Sequence, residues 1–325
     1  MIVARYYSNK DVRIEQLPVP RIGDGELLVK MRASGICGTD VMEWYRIKKG
    51  PRILGHEIAG DIVESKSPEY NVGQRVFVSH HVPCGICKYC LAGNQTACDT
   101  LHQGNYDPGG YSEFIRIPAI NVQHGVYVLP DHVTYDEGTM IEPLACGVRG
   151  IRLLDIRAGQ TVLILGAGVS GLLNIQLAKL KGARVVVTDI NDYRLSKARE
   201  FGADVVLNAA GDVNVTAEKV IVCTGAFSAL EQGFRCIDKK GVMLLFAIPN
   251  RDIPLPIPDF WRKELTVMSS YGAAPIDLEE SLALIAQKKL NVQGTITHKF
   301  PLVKIQEAFN TVVEAKGSLK VVLEA

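Results

Sequence analysis

The sequence predicts an α/β protein with two domains, one of which is a doubly wound parallel sheet. Up to about residue 145, short apolar runs alternate with Gly and Pro breaks, as in irregular β-structure. From about residue 150, apolar strand-like runs alternate with helical stretches, which is typical of βαβ units. With 325 residues, the chain is long enough for about two domains of ~150 residues each.

The elements of the second half can be assigned in order. Strands are predicted at residues 161–165, 184–188, 205–207, 219–223, 242–247 and 265–268, with helices at 170–181 and about 192–201. The Pro-rich stretch at 254–258 cannot be a central strand and is predicted to be a surface segment. After Gly272, the pattern predicts a helix at about 277–288, a strand near 295–297, a helix at 303–314 and a last strand at 319–323.

Composition excludes several classes of partner. The formal net charge is +1 and the isoelectric point is about 7.6, so nothing favours binding to nucleic acid or to an anionic membrane surface. No apolar run approaches the ~20 residues of a membrane span. The first residues lack the pattern of a signal peptide, and we therefore expect a cytoplasmic protein.

Four of the eight cysteines lie within fifteen positions, namely Cys84, Cys87, Cys90 and Cys98. Their spacing, C-x2-C-x2-C-x7-C, supplies the four thiolates that suit tetrahedral zinc. A closed set of four ligands leaves no open position for chemistry, so the zinc is predicted to be structural. An iron–sulfur cluster and a nucleic-acid-binding zinc ribbon are the alternatives; the spacing disfavours the first and the neutral overall charge disfavours the second.

A glycine-rich turn, GAGVSG at residues 166–171, follows an apolar strand and begins a helix. In the G-x-G-x-x-G pattern, Gly166 permits the tight turn and Gly168 lets the backbone approach a pyrophosphate. Gly171 allows the helix to pack closely on the strand. The free N–H groups of the helix N-terminus, where Val169 lies, are predicted to bind the pyrophosphate of a dinucleotide.

Asp189 ends the next strand, about 20 residues beyond the turn. Its carboxylate can accept hydrogen bonds from ribose hydroxyls and would repel a 2′-phosphate. The next residue is Ile190 rather than an arginine, which favours NAD over NADP. Arg194 in the following helix is a further candidate for cofactor contact. The alternative interpretation of Asp189 is a simple helix N-cap.

Three further motifs combine thiolate, imidazole and carboxylate groups. They are CGTD at residues 37–40, GHE at 55–57 and EPL at 142–144. Taken singly, a buried Cys or His is more often part of the core than a metal ligand. Together, Cys37, His56 and the carboxylates form an N/S/O set that suits zinc with one position left for water or substrate.

With these motifs in this order, the sequence resembles the zinc-containing medium-chain dehydrogenases, and within them the sorbitol (L-iditol) and threonine dehydrogenase branch. The likeness covers essentially the whole chain. It implies a GroES-like β-barrel catalytic domain formed by residues 1–147 and completed by 273–325. It also implies a Rossmann NAD-binding domain at residues 148–272.

The resemblance assigns Cys37 and His56 as ligands of a catalytic zinc. Alcohol dehydrogenases of the family have a third ligand, a Cys, at the position of Glu142, whereas the sorbitol branch has Glu there and binds zinc through the counterpart of Glu57. Either carboxylate is therefore a candidate ligand. Thr39 resembles the family's Ser/Thr that accepts the substrate's hydroxyl proton.

Two positions near these motifs depart from the common pattern or match only one branch. Relatives often have a His three residues after the Ser/Thr, where this chain has Met42, so the proton is expected to leave by water, by the ribose or by Glu43. His81 matches a His that lies near substrate in threonine dehydrogenases. Otherwise His80 and His81 are interpreted as local structure.

The resemblance implies hydride transfer between a polyol or related secondary alcohol and NAD, with one catalytic and one structural zinc. Threonine, an amino alcohol or a cyclitol are alternative substrates. A homotetramer is implied, with a dimer as the alternative. Two other classes are disfavoured by the intact zinc motifs: a zinc-free quinone or enoyl reductase of the same fold, and a non-catalytic protein that has kept the fold.

Overall fold

A computed structural model describes all 325 residues of the chain. The chain divides into two compact units, Met1–Ala145 with Gly272–Ala325, and Cys146–Tyr271. The segment after residue 271 therefore returns to the first unit. None of the helices is both long and apolar enough to cross a membrane.

The chain forms sixteen strands and twelve α-helices. The strands are β1 (Ile2–Ser8), β2 (Asp11–Gln16), β3 (Leu27–Ile36), β4 (Arg52–Ile53), β5 (Glu57–Ser65), β6 (Arg75–Ser79), β7 (Phe114–Ile117), β8 (Val126–Val128), β9 (Thr161–Leu165), β10 (Arg184–Asp189), β11 (Val205–Asn208), β12 (Ala217–Val222), β13 (Ile237–Leu245), β14 (Thr266–Ser269), β15 (Ile296–Pro301) and β16 (Lys320–Glu324). The helices are α1 (Glu43–Arg46), α2 (Lys88–Leu91), α3 (Asp99–Gln103), α4 (Ala119–Gly125), α5 (Tyr135–Thr139), α6 (Ile141–Leu154), α7 (Val169–Leu180), α8 (Asp192–Glu200), α9 (Phe227–Cys236), α10 (Ile257–Lys263), α11 (Pro275–Ala286) and α12 (Ile305–Glu314).

The first unit is built around a seven-stranded sheet of order β15-β16-β3-β5-β6-β8, with β7 also paired to β3. A smaller sheet of order β2-β1-β4 belongs to the same unit. The apolar core of the first unit contains the rings of Tyr6, Tyr111 and Phe309. The ring centroid of Phe309 lies 5.9 Å from that of Tyr6 and 6.1 Å from that of Tyr111. Because β16 is antiparallel to β3, the last residues of the chain lie beside the strand that ends just before Cys37.

The long strands β3 and β5 approach each other closely at Gly60, which pairs with Met31. A Cβ atom at residue 60 would collide with the carbonyl oxygen of Lys30 and would lie 2.9 Å from a methyl group of Val29. Since the backbone oxygen cannot move without breaking the ladder, the register of these two strands requires glycine here.

The second unit is a parallel six-stranded sheet of order β11-β10-β9-β12-β13-β14. Counted from β9, this is the order 3-2-1-4-5-6 of a doubly wound dinucleotide-binding fold. All six predicted strands are confirmed, although β13 begins at Ile237, five residues earlier than expected. The predicted surface segment at 254–258 becomes helical at its end, where α10 begins. Proline is tolerated in a first helical turn because no partner for its missing N–H is needed there.

The predicted C-terminal elements are also present, with shifted ends. The helix expected at 277–288 is α11, which begins two residues earlier, and the strand expected near 295–297 is the longer β15. The helix expected from residue 303 begins with a 3₁₀ turn, Leu302–Lys304, before α12.

Replacing Gly60 by alanine should lower the free energy of unfolding by about 1–3 kcal/mol, the usual range for overpacking a filled core. Denaturation in urea measures this change. Gly23→Ala is the matched control, because the nearest atom to its added Cβ lies at 3.5 Å. Equal stability of the two variants would contradict the close approach of β3 and β5.

Candidate metal and dinucleotide sites

Three candidate zinc ligands meet where β3 ends and β5 begins. Cys37 follows the last residue of β3, His56 precedes β5, and Glu57 is the first residue of β5. In the antiparallel pairing, Gly35 lies opposite Glu57, so the two strand ends are held side by side. The candidate ligand atoms of Cys37, His56 and Glu57 all lie within 4.8 Å of one another.

The sulfur of Cys37 is a hydrogen-bond acceptor. The backbone N–H of Thr39 approaches it at 3.4 Å and the Thr39 hydroxyl donates to it at 3.3 Å. Two donors are thus directed at one sulfur, and the thiolate is the form of cysteine that binds metal.

Buried Asp40 fixes the groups behind these ligands. Its carboxylate accepts hydrogen bonds from the Cys37 backbone N–H at 3.2 Å and from the Tyr111 hydroxyl at 2.6 Å, and it pairs with Arg46 at 3.0 Å. Nδ1 of His56 lies 3.6 Å from Asp40 Oδ1. A carboxylate on the Nδ1 side orients the ring and leaves Nε2 for a metal.

The surroundings of His56 favour positive charge. Burial by itself lowers the pKa of this imidazole, but the negative charges of Asp40, Cys37 and Glu142 outweigh burial and raise the pKa to about 10. A cluster with this much negative charge and little solvent needs a cation at its centre.

Glu57 is fully buried, and its two oxygens differ. Oε2 forms an ion pair with Nζ of Lys320, a residue of β16 that is also buried. Oε1 is buried without any hydrogen-bond partner in the protein. An orphaned carboxylate oxygen costs free energy unless a ligand satisfies it.

These observations fit a zinc ion. Thiolate, imidazole and carboxylate are ligand types that zinc accepts, and three protein ligands leave one position open, as catalytic zinc sites do. The partnerless Oε1 of Glu57 is the carboxylate oxygen that remains available to such an ion. Glu142, in the first turn of α6, lies outside the 4.8 Å group, although its charge raises the pKa of His56.

The hydroxyl of Thr39 is held by a residue that sequence reasoning did not select. Nη2 of Arg46 donates to Thr39 Oγ1 at 2.9 Å, and Nε donates to the Thr39 carbonyl oxygen at 2.9 Å. Met42 precedes α1 and offers no titratable group. Glu43, the suggested proton exit, accepts a hydrogen bond from the backbone N–H of Asn9 at 2.9 Å, so this carboxylate oxygen is already engaged.

His80 and His81 lie beside His56. The His80 ring centroid is 4.8 Å from that of His56 and 3.6 Å from that of His81. Burial and the neighbouring His56 lower the pKa of both residues, that of His81 to about 3, so both rings are neutral at physiological pH. The structure thus places His81 near the metal cluster, with the ring of His80 in contact with the rings of both His81 and His56.

The four cysteines of the second candidate site have their ligand atoms within 4.8 Å of one another. Sulfur–sulfur distances are 3.5 Å between Cys87 and Cys90 and 4.0 Å between Cys84 and Cys90. Four sulfurs at a Zn–S distance of about 2.3 Å form a tetrahedron with edges of about 3.8 Å, so one zinc fits this group. A cluster of several iron atoms holds its cysteines farther apart.

Backbone N–H groups are directed at sulfurs of the four-cysteine lobe, the segment from Cys84 to Cys98. The N–H of Cys84 points at Cys98 Sγ at 3.4 Å. Burial raises the pKa of Cys98, but backbone N–H groups of Cys84 and Leu101 outweigh it and lower the pKa to about 6. The tight turns use Gly85 and Gly93, whose φ angles are 74° and 77°.

The glycine-rich turn of the second unit has the form of a phosphate site. Gly166 adopts φ 99°, and a Cβ at Gly171 would collide with the Gly166 carbonyl oxygen. Around Gly168 no atom lies within 4 Å of an added Cβ, so the backbone here is open to a ligand. Gly168 also caps α7, which begins at Val169, without any side-chain hydrogen bond, so the helix N–H groups remain available to an anion.

Asp189, the last residue of β10, is hydrogen-bonded to the backbone of the glycine-rich turn. One oxygen accepts a hydrogen bond from the backbone N–H of Ala167 at 2.7 Å and the other from that of Asn191 at 2.9 Å. The N-cap of α8 is Asn191, so the interpretation of Asp189 as a simple N-cap is wrong. Arg194 lies in the first turn of α8, and its buried Nε has no partner in the protein.

Comparison with known proteins identifies the family of this chain. Residues 23–131 match the alcohol dehydrogenase GroES-like domain family, and residues 170–287 match the zinc-binding dehydrogenase family. Sorbitol dehydrogenase of Ovis aries is 32% identical over 339 residues, covering 97% of this chain and 93% of the relative. The chain belongs to the zinc-containing medium-chain dehydrogenases, in the sorbitol-dehydrogenase-like branch.

Solved structures of other dehydrogenases have the same fold. A zinc-binding dehydrogenase of Sinorhizobium meliloti with bound NADP superimposes with a TM-score of 0.88 at 28% identity, covering 100% of this chain and 99% of the other. An alcohol dehydrogenase of Escherichia coli with bound NADH gives a TM-score of 0.90 at 26% identity, with coverage of 100% and 99%.

Sequence reasoning missed two charged residues of this dehydrogenase. Arg46 lies in a basic, loop-like stretch where no local pattern marks it. Lys320 did leave a signal, because a lysine within the apolar strand at residues 319–323 needs a buried partner. The identity of that partner, 263 residues away, could not be inferred without the fold.

Metal analysis of the purified dehydrogenase should find about two zinc ions per chain, one for each candidate site. Cys90→Ser should lose one ion and reduce stability, because the four-cysteine lobe has only a small apolar cluster around Leu101 to hold it together. Cys146→Ser is the control, since Cys146 belongs to neither group. One zinc per chain, with the lobe cysteines reacting as free thiols, would refute the structural site.

Proposed function

We propose that this protein is a zinc-dependent dehydrogenase that transfers a hydride between a secondary alcohol group of a polyol and NAD. The observation that carries the proposal is the cluster of Cys37, His56 and Glu57, in which a buried carboxylate oxygen has no partner in the protein. We assign the catalytic domain to residues 1–147 and 273–325 and the NAD-binding domain to residues 148–272.

In this proposal Cys37, His56 and Glu57 bind the catalytic zinc, and Glu142 remains a candidate ligand at another stage of the reaction. Cys84, Cys87, Cys90 and Cys98 bind the structural zinc. The backbone of Gly166, Gly168, Val169 and Gly171 would hold the pyrophosphate of NAD, and Asp189 and Arg194 would hold the adenosine ribose.

Bound zinc supplies a Lewis acid that lowers the pKa of the substrate hydroxyl, and NAD supplies the hydride acceptor. Thr39 Oγ1 has two lone pairs, of which Arg46 occupies one. The other can accept a hydrogen bond from the substrate hydroxyl and so orient it. Arg46 carries no group that accepts a proton, so we propose that the proton leaves Thr39 toward solvent rather than through Arg46.

A carboxylate-containing site favours hydroxyl-rich substrates. Replacing a thiolate by a carboxylate makes the metal site harder and more tolerant of oxygen ligands. A site that hydrogen-bonds additional hydroxyls rejects analogues that lack them much more strongly than an apolar pocket can. Threonine and cyclitols are the alternative substrates, because an ammonium or a ring diol could also pair with a carboxylate of the site.

Location and assembly follow from the same proposal. None of the eight cysteines forms a disulfide, and zinc-binding thiolates persist in a reducing compartment, so we propose that the protein is cytoplasmic. We propose a homotetramer, with a dimer as the alternative.

We expect sorbitol or another polyol to be oxidised with a kcat/KM at least tenfold higher than a primary alcohol, measured by the formation of NADH. Threonine and a cyclitol complete the panel. Cys37→Ser should reduce turnover below detection while leaving NAD binding and the fold intact. A primary alcohol that outperforms every polyol, or a Cys37→Ser variant with normal activity, would contradict the proposal.

The cofactor preference can be tested at Asp189. Asp189→Ser with Ile190→Arg should raise kcat/KM for NADP relative to NAD by tenfold or more, because a repulsive charge is replaced by a phosphate partner. The variant should also melt at a lower temperature, because it loses the hydrogen bonds to Ala167 and Asn191. Asp192→Ser is the control. Wild-type protein that prefers NADP would overturn the assignment.

A further inference from the structure

Lys320 is the charged residue nearest to Glu57 and belongs to the last strand of the chain. Its Nζ donates to Glu57 Oε2 and to the Ile36 carbonyl oxygen, the latter at 3.3 Å. Its side chain is only 3% exposed.

The sheet makes room for this pair. Gly35 of β3 lies between β5 and β16, opposite both Glu57 and Val322. A Cβ at residue 35 would collide with Glu57 Oε2 and would lie 2.8 Å from Cε of Lys320. The backbone of three adjacent strands is therefore shaped to hold a lysine against this carboxylate.

Stability alone does not explain a buried ion pair here. Removing two charges from water costs several kcal/mol per ion, and packed apolar side chains of similar volume often stabilise a protein equally well or better. The ion pair instead makes the two oxygens of Glu57 different, because Oε2 is bound to a cation while Oε1 has no protein partner.

We propose that Lys320 is a positioning residue that makes Glu57 a one-oxygen, displaceable zinc ligand. Holding Oε2 prevents the carboxylate from chelating the metal with both oxygens. The lysine's charge also competes with the metal for the electrons of Glu57, which weakens the bond through Oε1. Substrate can then take the place of Glu57 without a large cost. The inference depends on the zinc site proposed above.

The charges of the site support this role. Thiolate, carboxylate and Zn²⁺ sum to zero, and the positive charge of Lys320 offsets the negative charge of the neighbouring Glu142. Because the pair is buried, the lysine's charge is weakly screened, and at an effective dielectric constant near 20 it still acts across several ångströms. Without the lysine the site would carry more negative charge and would repel the oxygen of a substrate hydroxyl, particularly as that hydroxyl loses its proton.

The test measures metal binding in Lys320→Met. Without its counter-charge, Glu57 has only the metal as a cationic partner, so zinc at this site should bind at least tenfold more tightly in competition with a chromogenic chelator. The titration step that belongs to this site is identified with the Cys37→Ser variant, in which that step should be absent. With Co²⁺ in place of zinc, the visible bands should weaken, because chelation by two oxygens raises the coordination number.

Two controls separate this role from a structural one. Lys299→Met removes a lysine from the neighbouring strand β15 that pairs with Asp136 and Glu324, and it should leave zinc affinity unchanged. In a Glu57→Gln background, Lys320→Met should tighten zinc binding much less, because there is no carboxylate to release. Equal tightening with and without Glu57 would show that Lys320 does not act through this ligand.

Unchanged zinc affinity and unchanged cobalt bands in Lys320→Met would overturn the proposal. If the metal-free variant does not fold, saturating zinc should restore the fold, and failure to do so would show that the lysine is only structural. All these measurements report metal binding, so they remain decisive even if no polyol is oxidised, which is the separate failure of the proposed function.

Discussion

The concentration of negative charge between β3 and β5 is the constraint on which the first unit depends. Cys37, Asp40 and Glu57 lie close together, and the two carboxylates are fully buried. Buried charges persist only when cations or hydrogen bonds compensate them. Arg46 balances Asp40 and Lys320 balances Glu57, and the remaining demand for positive charge falls on His56 and on a metal.

That constraint accounts for the discontinuous path of the chain. The lysine that pairs with Glu57 is 263 residues distant in sequence and reaches it only when β16 aligns with β3. Without β16, Glu57 would be a buried carboxylate without its counter-ion, and residues 33–36 of β3 would lack a partner on one edge. The last strand therefore completes both the sheet and the surroundings of Glu57.

The two candidate metal sites differ in how far sequence could predict them. The four cysteines lie within fifteen residues, so their spacing already specifies a closed tetrahedral group, and the sulfur distances agree with it. The glycine-rich turn is similarly local, and the six predicted strands around it are confirmed. At the mixed site, which combines thiolate, imidazole and carboxylate groups, the motifs supplied Cys37, His56 and two carboxylates. The motifs could not decide whether Glu57 or Glu142 is the carboxylate ligand, because that choice depends on tertiary geometry.

The residues that adjust the mixed site were the ones that sequence could not assign. Arg46 and Lys320 bind no metal, yet Arg46 occupies one lone pair of the Thr39 hydroxyl and Lys320 occupies one oxygen of Glu57. Both effects arise from long side chains crossing between elements, which no periodicity or spacing rule encodes. Ligand types in this family follow from short motifs, whereas how firmly each ligand is held follows from charges that the fold brings in from elsewhere. A dehydrogenase site of this kind can thus keep its motifs while its metal binding changes through a single distant strand.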